Sequence, residues 1–227
     1  MITKRAVSIL TGICGILGTL ALVIYFSAPF WLMPLPPPNA TVEQVMAFGT
    51  KYRTVILWDT WLQQIGSFLS VVFTLALVHL AGTSNRFAGR LTLLVCGVIM
   101  ALSLAEGTFA LSAVQAGDNG HRDAALTCFD MTNVFVHIFL IAPSLFLVMG
   151  YALLGTTILP RWLVYTAIIF GILFQVLGVV GLFNNKAILL VIFILNLQNI
   201  WTLIVSGILI SKKSYSFNGN VTPNNNA

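Results

Sequence analysis

Apolar positions in this chain do not alternate with polar ones; they run on. Six apolar stretches stand out, at 6–27, 55–81, 91–115, 125–154, 162–182 and 187–211. Each is long enough for a helix that crosses a bilayer, which takes about 20 residues. Short connections follow the second to fifth stretches, so neighbouring helices are expected to pack antiparallel. The pattern predicts an all-α polytopic integral membrane bundle of six transmembrane helices. Its domain covers 1–211, with a long outer loop at 28–54 and a disordered, polar, Asn-rich cytoplasmic tail at 212–227. No internal repeat supports an inverted-repeat transporter.

Composition strengthens this picture. Of 227 residues, 58% are hydrophobic and only 7% charged, against about 25% charged in an average soluble domain. In water such a chain would expose large apolar patches, so its expected solvent and partner is membrane lipid. The net charge of +5 comes without a long basic run, and nucleic acid is excluded as a partner.

Charge placement sets the orientation. With the amino terminus inside, Lys4, Arg5, Arg86, Arg90, Arg161, Lys212 and Lys213 fall on the inner side, seven of the eleven basic residues. Lys51, Arg53, Arg122 and Lys186 fall outside. The positive-inside rule then places both termini inside. Lys4 and Arg5 before an apolar run resemble a signal peptide, but the run is long and Pro29 follows Ala28. An uncleaved first span is expected. Cys14, Cys96 and Cys128 offer no pair of loop cysteines, and buried free thiols are expected.

The long loop contains Pro34 and Pro36 to Pro38, a stiff extended segment, then a capping box formed by Thr41 and Gln44. A short helix lying on the membrane surface is expected there, as a connector or as a lid over the outer end. Asn39 begins a weak glycosylation sequon. Trp31, Trp58 and Trp61 at the outer interface and Trp162 at the inner one form an ordinary aromatic belt.

Polar residues inside the spans carry the functional signal. At a rise of ~1.5 Å per residue, Asp59 lies near the outer end of the second span, with Gln63, Gly66 and Ser70 on its face. Glu106 lies in the outer half of the third, beside Ser103. Asp130, Asn133 and His137 share one face of the fourth. Gln175 lies in the outer half of the fifth, and Asn196 and Asn199 share a face of the sixth. Five spans thus place polar groups at outer to middle depth, whereas the inner halves are mostly Leu, Val, Ile, Phe and small residues.

Intramembrane carboxylates and imidazoles are costly in lipid, so these faces are expected to converge on an outward-facing pocket. Glu106 is the leading candidate, with His137 as its expected partner. Asp59 and Asp130 alternatively sit at the headgroup level, and Gln175, Asn196 and Asn199 alternatively act as interhelical glue.

Other chemistries fail on depth. His79, His121 and His137 lie at three different heights and cannot form a three-histidine zinc site. His79 and His137 differ by roughly 20 Å at helical rise, which excludes paired haem ligation. No lysine inside a span offers a Schiff base, and no phosphate loop or nucleophile elbow occurs. Neither a metal nor a cofactor is expected. Glycines at 12, 15 and 18, and at 171, 178 and 181, form stripes for close helix contact within the bundle or with another subunit.

The segment Gly150 to Phe183, with Leu159, Pro160, Arg161, Trp162 and Leu163 leading into the fifth span, resembles a family of uncharacterised bacterial six-span membrane proteins. That resemblance implies six helices and a bacterial cytoplasmic (inner) membrane, and supplies no catalytic residue. The expected function is binding of a small polar or amphiphilic ligand, or a proton, in the outer half of the bundle, for sensing or transport. The alternatives are a membrane-embedded enzyme using Glu106 and His137 as acid and base, and a structural subunit that pairs with itself or with a partner in a membrane complex.

Overall fold

The computed structural model of the protein describes residues 3–34, 36, 40–184 and 186–211. The expected tail at 212–227, Pro37, Pro38, the Asn39 sequon and the side chain of Trp31 lie outside the described residues. Among the described residues seven helices occur: α1 (Lys4–Trp31), α2 (Val42–Leu80), α3 (Phe87–Asp118), α4 (Arg122–Ile141), α5 (Leu145–Leu153), α6 (Arg161–Phe183) and α7 (Lys186–Ser211). No strand occurs among the described residues. Among the described residues six helical stretches are long and apolar enough to cross a membrane, α4 and α5 together making the fourth.

Two elements differ from expectation. The Thr41–Gln44 capping box is present, with both reciprocal bonds made. The helix it starts does not stop before the second span; it continues unbroken for 39 residues. Between Val42 and the apolar run there is no proline and only Gly49 as a weak point, so nothing ends helical propagation. At helical rise α2 is roughly 58 Å long, against about 30 Å of bilayer hydrocarbon. The expected separate surface helix is therefore the projecting first third of α2.

The expected fourth span, 125–154, is instead broken at Ala142-Pro143-Ser144. Proline has no N–H to donate and disfavours the helical conformation in the residue before it. Ala142 is accordingly extended, at φ −58° and ψ 150°.

The helices form a closed ring. Packing runs α1–α2–α3, then α3 to α4 and α5, on to α6, then α7, and α7 returns to α1. Glycines set the closest approaches. Gly12 faces Ser206 and Ile210 of α7, and Gly18 faces Leu69 and Ser70 of α2. Gly171 lies against the backbone of Leu147, and Gly178 against the carbonyl of Leu140. Both stripes thus serve contacts inside the chain.

The two ends of the ring differ. At the lower end, that of the 81–86 and 154–160 connections, an apolar core joins five helices. Leu77, Leu153, Leu163, Val205 and Leu209 are 0–1% exposed there. The one buried indole in that core, Trp201, donates its Nε1–H to the carbonyl of Leu163 at 2.8 Å. Toward the upper end, that of the 32–41 and 119–121 connections, the interior is not filled.

Candidate ligand-binding site

Tyr25 of α1, Gln63 of α2 and Glu106 of α3 meet in the interior of the upper half. Each is placed by a stripe of its own helix. Thr11, Gly15, Gly18, Leu22 and Tyr25 follow helical spacing along the face of α1 that packs on α2 and α7. Asp59, Gln63 and Ser70 line the inward face of α2, and Ser103 and Glu106 that of α3. The Tyr25 hydroxyl donates to Glu106 Oε1 at 3.0 Å, and the Gln63 amide donates to Glu106 Oε2. Glu106 is only 8% exposed, and both donors are neutral.

The α2–α3 seam around this triad is polar. Gln64 Nε2 donates to the Ser103 carbonyl at 2.7 Å, and Ser103 and Ser67 join hydroxyls at 3.1 Å. Gly107 makes room: a side chain there would overlap the Gln64 amide.

Two cavities share the wall that carries Glu106. The upper one, of about 500 Å³, lies under the projecting start of α2, which contributes Val45, Met46 and Phe48. Met33, Val114 and Phe129 line it from the other sides, and Asp59 joins Glu106 as its second buried carboxylate. Asp59 is 8% exposed and interacts electrostatically with Glu106. The lower cavity, of about 160 Å³, extends below Glu106 among the hydroxyls of Thr19, Ser67, Ser70, Thr74 and Thr202. Phe73 and Met149 belong both to its wall and to the apolar core beneath. Among the described residues, no lysine, arginine or histidine lines either cavity.

At the mouth of the upper cavity, Arg53 of α2 donates from Nε to Asp118 of α3 at 2.8 Å. Both are about half exposed, so the pair adds little stability, but it ties the projecting part of α2 to the end of α3.

The structure separates the residues that the sequence groups together. Asp59, Gln63, Glu106 and Asn133 line the upper cavity, and Gln63, Glu106 and Asn199 the lower one. Asp130, His137, Gln175 and Asn196 line neither. His137 is not the partner of Glu106: its Nδ1 lies 3.0 Å from the Asn133 carbonyl on its own helix. Its height is suitable, but its angle about the α4 axis is not. Asp130 is exposed on α4, and Asn196 donates to the Ile192 carbonyl of its own helix.

Gln175 has a structural task at the helix break. Its Oε1 accepts from the Ser144 N–H at 3.0 Å, and its Nε2 donates to the Ile141 carbonyl at 3.3 Å. It thereby satisfies backbone groups that the break at Pro143 frees. Tyr25 is the residue that sequence reasoning missed. A tyrosine near a span end reads as an interface anchor, yet its place on the Thr11–Gly15–Gly18–Leu22 stripe marks it as inward-facing.

His79 and His121 are exposed at opposite ends of the bundle. No group of three or more His, Cys, Asp and Glu side chains that could hold a metal occurs among the described residues. The chain matches no family model, no curated protein and no solved structure at a significant level. The resemblance carried by Leu159 to Leu163 therefore rests on those residues.

Proposed function

We propose that the protein is a six-span integral membrane protein of the bacterial cytoplasmic membrane, with both termini inside. In this reading its outer-half cavity binds a small amphiphilic ligand for sensing or transport. The observation that carries the reading is Glu106. A carboxylate is expensive to bury in apolar surroundings, and this one stands on the common wall of two cavities, held by two neutral donors. A role in packing alone would be met by an apolar residue at lower cost.

The upper cavity has the size of ordinary small-molecule sites, which run about 300–1,000 Å³, and its mostly apolar wall with a few convergent polar groups suits an amphiphile. The sealed lower core favours a binding or gated site over an open pore. The enzymatic alternative loses its expected acid–base pair, since His137 faces neither cavity.

The test is binding of a fluorescent amphiphile with an uncharged head to the purified protein in phosphatidylcholine nanodiscs. Saturable emission is expected, and Ala113→Phe, which fills the upper cavity, should abolish it while leaving thermal unfolding within a few degrees of the parent. Emission equal to that of empty nanodiscs would reject the reading.

A further inference from the structure

Resting on that reading, we infer that the upper cavity selects an amphiphile with a cationic head, such as a long-chain amine or quaternary ammonium. Asp59 carries the inference. It is 92% buried, lines the cavity and makes no hydrogen bond or ion pair among the described residues. A largely buried carboxylate without a protein partner favours a counter-charge, because burial leaves it little water to solvate its charge. Glu106 faces the same space, and its protein partners Tyr25 and Gln63 bring no positive charge.

Two cations of α2 near the mouth are engaged elsewhere. Arg53 is paired with Asp118 at the mouth, and the Lys51 ammonium sits 4.9 Å from the ring centroid of its neighbour Tyr52.

The walls indicate what kind of cation fits. A small hard ion such as calcium takes about six to eight oxygen ligands. Here two buried carboxylates stand in a mostly apolar and aromatic wall, and the third, Asp118, is paired with Arg53 at the mouth. Tyr25, Phe26, Phe48, Phe129 and Phe139 all line the space. Aromatic faces attract alkylammonium groups, whose charge is spread over a greasy surface. The head would lie between Asp59 and Glu106, and the chain would run under Met33, Met46 and Val114.

Competition against the uncharged fluorescent probe, in the same nanodiscs, tests this. Decyltrimethylammonium, decyl sulfate and decyl glucoside share a chain and differ in head charge. The cation is expected to displace the probe at a concentration about tenfold lower than the other two. Asp59→Asn should reduce that preference to under about twofold, read as the ratio of competitor concentrations within the variant. Glu106→Gln should do the same, and thermal unfolding of each variant reports that it is folded. If the probe binds but the three compounds compete equally, the cation selectivity is wrong while the ligand cavity stands. A preference for decyl sulfate, or a preference that survives in Asp59→Asn, overturns the inference. Absence of probe binding removes both the selectivity and the cavity reading.

Discussion

Tyr25 of α1 donates its phenolic hydrogen to Glu106 of α3 across 3.0 Å, so a buried carboxylate joins two helices that are not neighbours in the ring. Gln63 of α2, which lies between them, supplies the second bond. The triad fixes where the carboxylate points and leaves both cavities on either side of it.

Tyr25→Phe removes one donor and nothing else of size. A hydrogen bond to a charged acceptor is worth about 1.5–3 kcal/mol. Loss of that order is expected in unfolding measured in a mild detergent, together with weaker probe binding. An unchanged unfolding profile would mean that the bond contributes nothing.

Gln175→Leu keeps the volume and removes both polar ends. The Ile141 carbonyl and the Ser144 N–H are then left without partners at the helix break. Ser144 is 4% exposed, and leaving its N–H unsatisfied costs about 1–3 kcal/mol. Gln175→Glu retains the acceptor for Ser144 and should fall between parent and Gln175→Leu. Thermal unfolding of the three proteins gives the order directly.

Gly178→Ala should be far more damaging than Gly97→Ala. A methyl at 178 overlaps the Leu140 carbonyl, whereas one at 97 meets nothing within 4 Å. Overpacking of this kind costs about 1–3 kcal/mol. Equal stability of the two variants would show that α4 and α6 are not so closely packed.

The six apolar runs were legible because run length is a local property of the sequence. Depth was legible for the same reason: Asp59, Gln63 and Glu106 were placed at compatible heights by counting residues, and they face one cavity. Rotation about each helix axis was not. It depends on which neighbours a helix packs against, so the depth count pairs Glu106 with His137, which does not face it, and does not single out Tyr25. The break at Pro143 and the continuity of α2 show a second limit. Hydropathy is blind to both, because the polar amide that accommodates the break, Gln175, comes from another helix.

The proposed orientation predicts opposite labelling at the two ends of the bundle. Ser84 and Asn119 are exposed in a lower and an upper connection. In a background without native cysteines, Asn119→Cys should react with an impermeant maleimide in intact cells. Ser84→Cys should react only after permeabilisation. The reverse pattern would invert the topology, and labelling of both in intact cells would refute membrane spanning between them.

The most direct measurement is an experimental density map of the full chain in lipid nanodiscs, resolved well enough to show side chains in the upper half. Elongated density is expected inside the cavity between Met33, Val114 and Phe129, with one end against Asp59 and Glu106. A cavity collapsed onto itself, with Asp59 turned out to the headgroups and Glu106 enclosed by apolar side chains, would contradict it.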